Sequence, residues 1–79
     1  MAINYKLIEI FVDIFDLTPE QVTLNLKKDD VVKWDSLAQM ELVTALECKF
    51  EIDLKIEEVV KLDSIQAIIE LLDKKGVKI

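Results

Sequence analysis

The chain has 79 residues, enough for one domain with a single core and too few for a deep, water-excluding cleft. Hydrophobic residues make up 52 % and charged residues 33 %, which describes a folded globular chain and excludes a disordered tail. Ten lysines, no arginine and sixteen acids leave a net charge of −6, which excludes a nucleic-acid binder and favours partners with basic surfaces.

Along the first segment, Ile3, Leu7, Ile8, Ile10, Phe11, Ile14 and Phe15 recur at spacings of three and four. Lys6, Glu9 and Asp13 fall mainly on the opposite side, so the pattern predicts an amphipathic helix of three to four turns. The same charged residues interrupt residues 3–15, which argues against a secretory signal. No run approaches the ~18 consecutive apolar residues of a membrane span, so a cytoplasmic protein is expected. Cys48 is the single cysteine, which precludes an internal disulfide or a cysteine-based metal cluster and fits a reducing compartment.

Residues 17–34 read as a long ordered loop. Thr18, Pro19 and Gln21 have the form of a capping box that starts a short turn. Val22, Leu24, Leu26, Val31 and Val32 are the expected pins of this loop on the core. Loops of this length are uncommon in compact domains unless they serve a function. Here the loop delivers the chain to Ser36.

A second helix is expected over residues 36–51 with Asp35 as its N-cap. Leu42, Val43, Leu46 and Phe50 form its core stripe at 100° per residue. Leu37, Met40, Thr44 and Cys48 fall on another side, bracketed by Glu41 and Glu47. A short third helix around residues 57–62 is suggested by Ile56, Val59, Val60 and Leu62. The fourth runs over residues 64–75, with Asp63 as the expected N-cap, Gly76 at the C-cap, and Ile65, Ile68, Ile69, Leu71 and Leu72 facing inward. The fold class is therefore all-α: a small four-helix bundle with three main helices, one short one and a long first loop. No repeat or linker divides the chain, so residues 1–79 are expected to form one domain.

Trp34-Asp35-Ser36-Leu37 opens the second helix. The segment from Asp35 through Leu42-Val43-Thr44-Ala45-Leu46-Glu47 resembles the phosphopantetheine attachment region of acyl carrier proteins. The order of helices matches that family over nearly the whole chain. The resemblance implies that Ser36 carries 4′-phosphopantetheine, donated by coenzyme A through a separate phosphopantetheinyl transferase that recognises Asp35 beside it. It further implies a carrier, not an enzyme, that holds acyl groups as thioesters and delivers them to enzymes of fatty-acid, polyketide or related biosynthesis. Leu37, Met40, Glu41 and Glu47 would form the face where acyl-loading and acyl-processing enzymes dock through basic patches. Leu42, Val43, Leu46, Phe50, Leu54, Ile56, Val59, Leu62 and Ile68 are candidates to line an acyl pocket between the helices. A monomer is expected of such a shuttle.

The physical chemistry of Ser36 agrees with acceptance of a phosphate. The first N–H groups of a helix lack intrahelical partners and the macrodipole is positive there. The serine has no base of its own, because the chain contains no histidine. Trp-Asp-Ser-Leu, with Ala38, Cys48 and Lys49 where fatty-acid carriers commonly place acids, looks more like carriers of specialised pathways. The alternatives are an aminoacyl or peptidyl carrier of a nonribosomal or cell-envelope pathway, and an acidic helical adaptor without a prosthetic group. Trp34 reads either as an anchor of the loop or as an aromatic wall along the path of the arm. Ser64 reads as structural, Cys48 as incidental, and Asp29-Asp30 and Glu57-Glu58 as solvated charge without the ligand spacing of a calcium loop.

Overall fold

The computed structural model describes residues 3–77. Four α-helices follow one another: α1 (Tyr5–Phe15), α2 (Ser36–Phe50), α3 (Ile56–Val59) and α4 (Ile65–Lys74). No strand forms among the described residues, and the fold is the expected all-α bundle with a long first loop. Its shortest extent is 19 Å, about two helix diameters. Every helix therefore keeps a solvent side.

Local sequence explains the helix ends. Asn4 caps α1, its side chain accepting from the Lys6 N–H at 2.8 Å. Asp16 ends α1 in the left-handed region at φ 56°, and Glu51 ends α2 the same way at φ 53°. At the start of α4 the cap is Ser64, whose Oγ accepts from the Ala67 N–H at 3.0 Å, and not Asp63 as the sequence suggested. Ser64 wins because its backbone is extended while Ile65 already begins the helix. Gly76, at φ 84°, takes the left-handed position beyond α4, which a side chain would strain. The third helix is displaced from the expected residues 57–62 and is a single turn. Glu58 reaches back from α3 to accept from the Lys55 N–H at 2.9 Å, which fixes the start one residue early.

The core is built from Leu7, Ile10, Phe11 and Phe15 of α1, Ala38, Leu42, Val43 and Leu46 of α2, Ile65, Ile68 and Leu72 of α4, and Leu62 before it. The main helix-on-helix contact joins α1 to α2. Against the end of α1 sits Trp34, only 3 % exposed, with its ring centroid 5.4 Å from Phe11 in an edge-on arrangement and 5.1 Å from Phe15. Such aromatic contacts add to the burial itself. Trp34 is thus the anchor that ends the loop and places α2.

The loop over residues 17–34 is ordered by two short 3₁₀ turns, Pro19–Gln21 and Lys28–Asp30. Gln21 accepts from the Thr18 N–H at 2.8 Å, half of the expected capping box. Two backbone hydrogen bonds, Lys28 N–H to Asp63 (2.8 Å) and Ile65 N–H to Leu26 (3.0 Å), tie the loop to the start of α4. Val22 and Val31 are buried and Leu26 is half-buried. Two expected pins fail. Leu24 is 37 % exposed and Val32 is fully exposed, because each occupies a turn whose outer side faces solvent.

Candidate functional site

Ser36 is the first residue of α2, and its side chain is exposed. Its position follows from the residues on either side of it. Trp34 is locked in the core, and its N–H donates to the Val31 carbonyl at 3.1 Å. Asp35 caps the helix, Oδ1 accepting from the Ala38 N–H at 2.9 Å while its carbonyl accepts from the Gln39 N–H at 2.8 Å. The N–H groups of Ser36 and Leu37 precede the first intrahelical bond and remain available at the same helix end. A phosphate carried on an exposed hydroxyl at such a positively polarised helix start would meet unpaired N–H donors there.

Beside the hydroxyl runs a surface groove of about 410 Å³ between α2 and α3, lined by Lys28, Ser36, Gln39, Met40, Val59, Val60, Leu62 and Asp63. Its walls are largely aliphatic, and Lys28 is the one cation of the lining. A slender arm with a phosphate at its root and apolar stretches beyond it fits this chemistry. A second, shallower groove of about 560 Å³ lies on the other side of Met40 and Glu41 and runs along Ile14, Thr44, Ala45, Cys48 and Lys49.

The expected docking residues part company. Leu37 (78 % exposed) and Met40 (58 %) stand clear of the core, and Glu41 is exposed. Ile56 and Val60 of the α3 region are as open, at 82 % and 72 %. Glu47 is half-buried instead, its Oε2 accepting from the Leu54 N–H at 3.0 Å, so it organises the connection from α2 to α3. Of the four acids expected to be solvated charge, Asp29, Asp30 and Glu57 are exposed, but Glu58 is not. It lies 2.9 Å from Lys75, and the Lys55 N–H together with that ammonium hold its carboxyl below the usual value.

Of the residues expected to line an acyl pocket, only Val59 and Leu62 reach the groove beside Ser36. Leu42, Leu46 and Ile68 are fully buried and Val43 nearly so. Phe50 and Leu54 are half-buried against the same core. Ile56 is corrected outright: it begins α3 facing solvent, while Val59 and, beyond the turn, Leu62 pack against the core.

The residue that the sequence did not flag is Gln39. Its Oε1 accepts from the buried Trp34 indole N–H, and its Nε2 donates to the Val59 carbonyl at 2.8 Å and the Leu62 carbonyl at 3.1 Å. The three partners fix the amide's orientation, since an indole only donates and a carbonyl only accepts. A buried Trp needs an acceptor for its N–H, and a glutamine one turn into the next helix was the available signal.

Comparison with known proteins agrees with this geometry. Residues 6–72 match the phosphopantetheine attachment site family. The acyl carrier protein of Bdellovibrio bacteriovorus is 34 % identical over 76 residues, covering 96 % of this chain and 97 % of the relative. That of Campylobacter concisus is 36 % identical over 76 residues, covering 96 % and 99 %. The acyl carrier protein of Petrotoga mobilis is 31 % identical over 70 residues, covering 89 % and 82 %. A helical bundle with an exposed serine at the start of its second helix, matched over nearly its whole length by such relatives, belongs to the acyl carrier protein family, whose covalent cofactor is 4′-phosphopantetheine.

Proposed function

We propose that Ser36 is the attachment point and that residues 1–79 work as a single carrier domain that moves acyl intermediates between separate enzymes. The observation that carries this reading is the exposed hydroxyl at the first position of α2, within the matched attachment region and on the rim of an aliphatic groove. When bound, the phosphopantetheine arm supplies a terminal thiol that holds an acyl group as a thioester.

The chain's own residues have distinct jobs in this reading. Asp35 sets the helix start and is presented to the transferase next to the serine. The free N–H groups of Ser36 and Leu37, with Lys28 on the groove wall, offset the negative charge of a phosphodiester in an otherwise acidic protein. Leu37, Met40, Ile56 and Val60 form an apolar docking face, and Glu41 steers basic partner surfaces toward it. Glu47 supports this face from behind by shaping the α2–α3 connection. Catalysis belongs to the partners: a phosphopantetheinyl transferase first, then acyl-loading and acyl-processing enzymes. The protein works as a cytoplasmic monomer. Tethering raises the effective concentration of the cargo at each partner. The Trp-Asp-Ser-Leu start points to a specialised pathway.

The test is intact-protein mass spectrometry after incubation with coenzyme A, magnesium and a broad-specificity phosphopantetheinyl transferase, beside Ser36→Ala. A phosphopantetheine-sized increase that the variant lacks supports the reading. No increase across several transferases leaves an acidic helical adaptor. Loading by aminoacyl-activating enzymes in place of acyl-loading ones would reassign the cargo and keep the carrier.

A further inference from the structure

The α3 turn has only four residues, too short to hold itself as a helix. Two side chains fasten it. On the α4 side, Glu58 pairs with Lys75 at 2.9 Å. On the α2 side, Gln39 donates to the carbonyls of Val59 and Leu62. Those carbonyls belong to two residues that line the groove beside Ser36, as does Gln39 itself. The amide therefore lies across the line along which α2 and α3 would part to admit a chain from Ser36 into the core of Leu46 and Ile68.

Gln39 is also held from the other end. Its Oε1 accepts from the indole N–H of Trp34, a residue 3 % exposed and packed on Phe11 and Phe15. Swinging the amide aside breaks two hydrogen bonds to the α3 end and leaves a buried indole N–H without an acceptor. An unsatisfied buried donor costs more than the bond it loses. A rigid aromatic cluster thus backs the amide, and the α2–α3 seam is closed by default.

We propose that Gln39 is a specificity-determining residue, a latch that keeps long alkyl chains out of the helical core and leaves cargo in the surface groove at Ser36. The inference rests on the reading of Ser36 as the attachment point. Short or polar acyl groups gain from this arrangement, because they need no opening of α3 and stay accessible to partners. Long saturated chains lose the shelter that the core of Leu42, Leu46, Leu62 and Ile68 would offer.

The experiment loads the full chain through a transferase with acetyl-, octanoyl- or dodecanoyl-coenzyme A and confirms each product by mass. It compares wild type with Gln39→Met, which fills the same space without polar atoms, and Gln39→Glu, which still accepts from Trp34 but donates nothing to α3. Backbone amide shifts are then read with the rate of thioester cleavage by hydroxylamine. In wild type, octanoylation is expected to move the signals of Gln39, Met40 and Val60 and to leave Leu46 and Ile68 in place. Both variants are expected to pass the perturbation on to Leu46 and Ile68. Loss of two hydrogen bonds of ordinary strength shifts an opening equilibrium by roughly tenfold or more. Octanoyl cleavage is expected to slow in the variants, by up to that order where the opened form dominates, with acetyl cleavage unchanged. Wild-type shifts at Leu46 and Ile68 as large as the variants', or equal cleavage rates throughout, would overturn the latch and leave the carrier intact. A wild-type chain that gains no mass at Ser36 overturns the attachment reading and the latch with it.

Discussion

Lys75, just past the end of α4, lies 2.9 Å from Glu58 on α3, and both side chains are about three-quarters covered. Glu58 also accepts from the Lys55 N–H, so one carboxylate caps α3 and staples it to α4. The Lys55 hydrogen bond first, and Lys75 second, favour its charged form and hold its pKa below the ordinary 4.5. The folded state therefore binds this proton more weakly than the unfolded chain does. The contribution is fully present above about pH 4.5 and is lost as pH falls through the lower folded value. Thermal melts across acidic pH are expected to show a shallower decline for Glu58→Gln than for wild type. Equal slopes would assign the acid sensitivity to other carboxylates.

Trp34 fills the space between the loop and the end of α1, and its truncation is expected to be severe. Trp34→Ala is predicted to cost about 3–5 kcal/mol in urea unfolding, the range for large aromatics removed from cores. Trp34→Phe keeps an aromatic ring facing Phe11 and Phe15, removes the indole donor to Gln39 and leaves a small gap where the second ring stood. Its predicted cost is smaller, about 1–2 kcal/mol. A cost for Trp34→Phe equal to that of Trp34→Ala would place the value of this residue in its indole N–H and second ring and not in an aromatic ring against Phe11 and Phe15.

Asp35 has two roles that substitution separates. Asp35→Ala removes the acceptor for the Ala38 N–H and is expected to cost about 1 kcal/mol, with fraying at the start of α2. Asp35→Asn retains a good cap and is expected to leave stability near wild type. A loss of transferase-dependent mass gain in Asp35→Asn, at unchanged stability, identifies recognition of the carboxylate's charge. Normal modification of Asp35→Asn would confine Asp35 to capping.

Glu41 and Glu47 look equivalent in the sequence, and the fold makes them different. Glu47→Ala strips an acceptor from the Leu54 N–H and is predicted to destabilise by about 1–2 kcal/mol. Glu41→Ala, at an exposed site, is predicted to stay within about 0.5 kcal/mol of wild type. Its effect is expected instead in slower, less salt-sensitive association with a basic partner surface. Denaturant melts and association rates at two ionic strengths decide both points.

The residues divide cleanly into those set by their neighbours and those set only in three dimensions. The α1 and α2 stripes, the Asp35 cap, Ser36 at the first helical position and the left-handed Gly76 were legible, because each depends on partners within about one helical turn. The cap of α4 fell on Ser64 instead of Asp63, a choice between adjacent good capping residues that the loop decides by pairing Leu26 and Lys28 with that junction. Leu24 and Val32 carry the same apolar character as Val22 and Val31. Only the turns that fold the loop decide which of them meet the core.

What the sequence by itself determined is the helical order, the acidic charge and a serine at the start of α2. All three rest on periodicity, composition and local hydrogen bonds. The tertiary structure decided what stands around that serine. Gln39 meets Val59 and Leu62 from twenty and twenty-three residues away, and Glu58 meets Lys75 across two elements. Such partners are chosen by how the helices pack, and no local pattern records them.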